Sequence, residues 1–177
     1  MKYFFERTLS YFIDCIIAFA VVMLIIQWAI LSHLRGFFGI TDLWLQSSEN
    51  MQLYVLTSIS IPVWIYFAYF DSKKSKGTFG KRIFNLEVKD TKNQKLSFGR
   101  SLCRTIIKLL PWEIAHMGVI FPTPIYYEND PSVRVLSYVG LLLFAVYVIS
   151  IWTDSRKRAI YDKLMGTIVS KRIEISE

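Results

Sequence analysis

One carboxylate stands where the chain otherwise suits hydrocarbon. Asp14 lies inside YFIDCIIAFAVVMLIIQWAIL, the apolar run from residue 11 to 31. A carboxylate at that depth faces a bundle interior or a wet cavity and needs a partner. Arg7 lies seven residues earlier, two helical turns away on the same face, and can reach toward the interface. Arg104 and Lys108, four apart on one stripe, enter the third apolar helix from the same side. The expectation is a buried ionic cluster of Asp14 with Arg104 and Lys108 near the cytoplasmic face. Such a cluster admits two chemistries. Asp14 can bind a monovalent cation or a proton on a transport route, with Arg7 and Arg104 tuning it. It can instead be a structural ion pair that pins the first helix to the third, a role favoured by the surplus of cations around it.

A second constellation is smaller. Glu113 and His116 are three apart and therefore neighbours on a helix. They could form a titrating relay, since His changes charge near neutral pH, or sit solvated at the outer interface beside Pro122 and Pro124. Two such residues are too few for a metal site. No P-loop, GxSxG or HExxH occurs, and GTFGKR is not a Walker A sequence. The cations of that segment suit anionic lipid headgroups. No catalytic residue, cofactor or metal is expected, and the chain does not read as an enzyme.

The elements that must position these residues are apolar helices. Four spans are expected, at about residues 11–31, 53–70, 104–121 and 133–152, each long enough for a bilayer core. Pro62 should kink the second. Between the second and third, IFNLEV alternates and ends at the turn-prone DTKNQ, which predicts a cytoplasmic β-hairpin over about 82–98. Ser97 is a suitable cap for the helix that follows. The tail from 153 to 177 contains TIVSKRIEI, a strand at 167–175 able to pair with that hairpin. The fold class is thus an all-α membrane protein, four transmembrane helices with a small cytoplasmic β element, in a single membrane domain over residues 1–177.

Composition agrees. The 177 residues are 53% hydrophobic with a mean hydropathy of +0.35, yet carry a formal charge of +7 and a pI near 9.4. A nucleic-acid binder could share the pI but not the long apolar runs, so nucleic acid is excluded as a partner. The charges lie in blocks between those runs, and 19 of the 21 Lys and Arg fall before the first span, between residues 71 and 108, or after 153. Basic segments stay cytoplasmic. That places both termini in the cytoplasm and requires the helix near 104–121 to cross. The first apolar run is too long for a cleaved leader and reads as an anchor. Cys15 and Cys103, far apart in sequence, read as free buried thiols. A path through four helices would be narrow, which favours a homo-oligomer.

Three blocks together resemble the RDD family of small bacterial membrane proteins, whose name refers to one arginine and two aspartates. The first is RTLSYFID, with Arg7 and Asp14. The second is GTFGKRIFNLEVKDTKNQKLSFGRSLCRT, in which Gly77, Thr78, Gly80, Lys81, Arg82, Ser97, Arg100 and Arg104 fall on the family pattern. The third is YDKLMGTIV, whose Asp162 is assigned as the second family aspartate. Tyr161 stands where members often have histidine, so a proton relay through that histidine does not carry over. The resemblance implies a bacterial plasma (inner) membrane protein and a transporter, with sodium/proton antiport proposed for some members.

The leading expectation is therefore transport of a small ligand or cation, including Na⁺ or K⁺ exchange for protons. Asp14 would be the binding group, and Asp162 would organise the cytoplasmic mouth by pairing with a residue such as Arg82. The rival is a non-transporting module that binds anionic lipid or a partner protein through its basic face.

Overall fold

The computed structural model describes residues 2–130 and 133–172. The chain is mostly helical, with one two-stranded sheet. Helix α1 runs Lys2–Leu34, α2 Asp42–Leu45, α3 Ser48–Phe70 and α4 Phe79–Ile83. Strand β1 is Leu86–Asp90, α5 is Phe98–Ile120 and α6 is Val135–Thr153. Helix α7 is Ile160–Met165 and β2 is Thr167–Lys171. Three helices, α1, α3 and α6, are long and apolar enough to cross a membrane. The chain divides into two compact units: Met1–Ala18, Trp64–Lys108 and Ala145–Glu177 form the first, and Phe19–Val63 and Leu109–Phe144 the second.

Helix α1 starts nine residues before its apolar run, because KYFFERTLS contains neither Gly nor Pro to stop it. Its second half, Val22–Leu31, is wound as π-helix. In α3 the segment Leu56–Ser60 is also π, with the Ile61 N–H reaching the Leu56 carbonyl. Pro62, which has no N–H to give, follows that segment closely.

In the first unit the helices carry their charges inward. On α1 the buried residues are Arg7, Ser10, Asp14 and Ala18, while Phe5, Leu9, Phe12 and Ile16 are exposed. On α5 the buried stripe is Ser101, Arg104, Thr105 and Lys108, while Ile106 and Leu110 lie outside. This inverts the pattern of a soluble helix, as expected where the surroundings are hydrocarbon.

The sheet corrects the expected hairpin. Antiparallel β1 pairs with β2 over five residues, Leu86 opposite Lys171 through Asp90 opposite Thr167. The local return at Lys95 makes a single bridge to Lys89, and Leu96 bridges Ser72 instead. Residues 82 and 83, the start of the expected hairpin, belong to helix α4. A five-residue ladder outcompetes a return cut short by α5, where the Ser97 hydroxyl caps the Arg100 N–H at 3.4 Å. Leu86, Val88, Leu96 and Val169 form the buried cluster beneath the strands, with Tyr3 and Phe84 against it. The predicted strand's residues beyond Arg172 lie outside the described residues.

The second unit is held mainly by neutral contacts. The Gln27 amide donates to Ser58 Oγ at 2.8 Å and accepts from the Tyr54 hydroxyl. Gly140 lets α6 meet α5 closely, since a Cβ there would lie 2.6 Å from the Pro111 carbonyl oxygen. Arg134, buried, donates to the Phe121 and Thr123 carbonyls at 2.6 and 2.9 Å and pairs with Glu128.

Candidate functional site

The first unit gathers most of the ionisable residues singled out above, in an order the sequence did not predict. Asp14 is fully buried. Its carboxylate accepts the Thr78 hydroxyl and, at 2.7 Å, the Gly80 N–H, and Lys81 Nζ stands 3.9 Å away. All three partners come from GTFGK, the turn that opens α4. Gly80 is required at that point. A Cβ would fall 2.3 Å from the Ser10 carbonyl oxygen and 3.1 Å from the Asp14 carboxylate, so only glycine lets the turn close on α1.

From Asp14 a chain of alternating charges runs through the unit. Lys81 reaches Asp71 at 2.8 Å, and Asp71 in turn accepts Arg104 Nη1 at 3.0 Å. Arg104 places Nε and Nη2 on one oxygen of Asp162, at 2.9 and 2.7 Å, and lies over the Tyr161 ring. Arg7 closes the chain on the other Asp162 oxygen and also donates to the Lys157 carbonyl. Asp162 further accepts the Ala159 N–H at 3.2 Å and the Thr167 hydroxyl at 3.0 Å. Helix α7 ends at Gly166, whose φ of 59° turns the chain into β2. The ladder with β1 thus fixes the segment that carries Asp162.

Burial works against ionisation of Asp162, but the guanidiniums of Arg104 and Arg7 overcome it and hold its carboxyl below the ordinary carboxylate range. Asp71 behaves alike: burial opposes its charge, and Lys81, Lys108 and Arg104 prevail.

The expected cluster of Asp14 with Arg104 and Lys108 is therefore corrected. Arg104 goes to Asp71 and Asp162, and Lys108 lies on aromatic faces, 3.4 Å from the Phe67 ring centre and 5.4 Å from that of Tyr11. Arg7 shares a buried stripe with Asp14 yet pairs with Asp162. Asp162 does not pair with Arg82, which is exposed and donates to the Gly77 carbonyl and to Ser75. Similar depth failed as a guide because Asp71 and Asp162 offered the guanidinium of Arg104 better geometry. Arg100 secures the margin of the sheet, through Asp90 at 3.2 Å and the Met165 and Gly166 carbonyls. Glu113 and His116 belong to the second unit, where Glu113 accepts the Ser60 hydroxyl at 2.9 Å.

Sequence reasoning missed Asp71, and it missed Lys81 and Thr78 as partners of Asp14. A signal existed: Asp71 is the only acid between residues 50 and 86 and directly precedes a lysine-rich stretch. Among the described residues no group of three or more His, Cys, Asp or Glu is arranged to hold a metal ion.

The sequence model described as the RDD family matches residues 3–166, nearly the whole chain. No curated protein and no solved structure matches it.

Proposed function

This chain belongs to the RDD family, and we propose that it is a carrier that exchanges a monovalent cation, Na⁺ or K⁺, for protons. The observation behind this reading is Lys81, one buried ammonium standing between two buried carboxylates, Asp71 at 2.8 Å and Asp14 at 3.9 Å. A monovalent cation entering between those carboxylates takes the place of the ammonium. Lys81 then gives up one proton for each cation bound, and the buried charge is unchanged. Asp14 and Asp71 hold the cation, Thr78 and Gly80 orient Asp14, and Arg7, Arg104 and Asp162 keep the surroundings rigid. On this reading the protein is no enzyme.

The carrier crosses the plasma membrane of a bacterium four times, with both termini in the cytoplasm. The asymmetry of Lys and Arg supports this, and so does α5, whose 23 residues extend about 34 Å with the charged stripe inward and Ile106 and Leu110 outward.

The test is cation-driven proton flux in proteoliposomes, comparing wild type with Asp14→Asn and Lys81→Met, each checked for a monodisperse elution profile. Flux in wild type that folded Lys81→Met and Asp14→Asn both lack upholds the reading. A wild type that moves no protons under an imposed Na⁺ or K⁺ gradient sinks it.

A second reading has its own observation. Lys73, Lys74, Lys76, Arg82 and Lys95 line a surface groove of about 420 Å³ beside Tyr69 and Phe70 at the end of α3. Cations next to aromatics suit anionic lipid headgroups at an interface. Here the protein is a lipid-binding module, or docks a partner protein or a second copy, and the buried network only holds helices together. Absent flux combined with retention on phosphatidylglycerol vesicles in preference to phosphatidylcholine would favour it.

A further inference from the structure

The buried network has more positive than negative groups, and the surplus lies around a cavity. Within the first unit a cavity of about 20 Å³ is walled by Arg7, Lys81, Arg104 and Lys108. All four are at least nine-tenths buried. Three carboxylates serve them, Asp14, Asp71 and Asp162, and none of the three lines the cavity. Arg7 and Arg104 share Asp162, while Lys81 and Arg104 share Asp71. Lys108 lies against the rings of Phe67 and Tyr11; its field reaches Asp71, but no carboxylate among the described residues lies within ion-pairing distance of it. Ring faces attract an ammonium less than a counter-ion does, and a buried charge without a counter-ion is strongly unfavourable.

We infer that this cavity binds one small monovalent anion of halide size. Four cations and three carboxylates are balanced by a single negative charge, and the site for it is the space the cations surround. The volume sets the size. A water needs about 10–15 Å³ by the same measure, so a halide fits and phosphate, sulfate or an organic carboxylate does not. The wall repels a cation. Ser10, Tyr11 and Tyr161 also line it and bring hydroxyls that can donate to an anion. Chloride and bromide give up their hydration more readily than fluoride or hydroxide, which suits a site made of guanidinium, ammonium and phenol.

The inference concerns the same cluster as the exchange reading but requires binding alone, without turnover. It is therefore measured at equilibrium, on the full chain in detergent with no gradient, where loss of flux and loss of binding are separate results. The probe is bromide. Thermal unfolding and titration calorimetry are run in sodium bromide against sodium gluconate at equal ionic strength, for wild type, Lys108→Met and Lys92→Met, the last an exposed turn residue. Wild type and Lys92→Met should show saturable stabilisation by bromide over gluconate. Lys108→Met, which removes the surplus charge while keeping the stem, should bind bromide roughly tenfold more weakly or worse. If Lys108→Met does not fold, anomalous scattering from wild-type crystals grown in bromide decides, and a bromide peak among Arg7, Lys81, Arg104 and Lys108 is the expected result. A wild type indifferent to bromide, a cavity that holds water only, or bromide affinity unchanged in Lys108→Met overturns the inference.

Discussion

The two units solve one problem in opposite ways. Each must hold helices together where apolar side chains already face outward and hydrophobic burial offers little preference for one neighbour over another. The first unit uses charge. Arg7, Asp14, Asp71, Lys81, Arg104 and Asp162 form a continuous alternating network on α1, α4, α5, α7 and the residue just past α3. The second uses the Gln27 amide, the hydroxyls of Tyr54, Ser58 and Ser60, and the close approach at Gly140. Among its described residues the only buried charge is Arg134, held by two main-chain carbonyls and Glu128. Charges specify partners strongly, because a wrong partner leaves an ion unpaired, but they make every member of the network indispensable. Small-residue and amide contacts are individually weak and individually replaceable. The first unit should therefore fail abruptly and the second gradually.

The widest gap should come from Asp162→Asn. It leaves Arg7 and Arg104 without their shared anion, and breaking a buried pair in this way costs about 3–5 kcal/mol. Chemical unfolding in mixed micelles measures it, and a loss under 1 kcal/mol would remove the contrast between units. Acid is the milder form of that change. Asp162 has its carboxyl depressed below the free value, so its contribution is complete above about pH 4 and drains away as pH falls from there toward its folded value. The unfolding midpoint should hold steady from neutrality down to about pH 4 and then fall, and Asp162→Asn should flatten part of that fall. A midpoint that drops already between pH 7 and 5 would point to another group.

Gly80→Ala comes next. Its methyl group meets the Ser10 carbonyl, a main-chain atom that cannot swing aside, so a loss of about 1–3 kcal/mol is expected. The second unit should give less. Gln27→Leu exchanges two hydrogen bonds for an apolar side chain of similar size and should lower stability by about 1 kcal/mol, measured in the same micelles. Smallest of all is Lys171→Ala, which removes the half-exposed pair with Glu6 at 2.7 Å and should change stability by under about 1 kcal/mol. If Gln27→Leu proved as damaging as Asp162→Asn, the division between a charged unit and a neutral one would have no energetic meaning.

The contrast also accounts for what could be read in the sequence. Hydropathy marks helices α1, α3 and α6 because a long apolar run has few alternatives. It misplaces the start of α1, since it registers the apolar window while the helix continues through KYFFERTLS. The burial of Asp14, Arg104 and Lys108 was legible, because a charge inside or beside an apolar stripe must turn inward, whereas that of Arg7, expected to reach the interface, and of Asp162, expected at the cytoplasmic mouth, was not. Nor was their pairing. Spacing along one helix shows which residues share a face, but Arg104 chose among three carboxylates from three separate segments, and only the packed unit decides that. The sheet shows the same limit. The alternation in IFNLEV is equally good for a nearby return and for a distant strand, and the longer ladder with TIVSK prevailed.

The ion pair between Arg7 and Asp162 has a consequence for the order of assembly. Its two members are separated by 155 positions, so one is made well before the other. At roughly 5–20 residues per second, Arg7 waits on the order of ten seconds or more after its synthesis for its counter-ion to exist. Through that interval the first helix carries a guanidinium whose permanent partner has not yet been made. The short helix that carries Asp162 therefore closes the pair last, and the buried charge of Arg7 is matched only once that helix has been made.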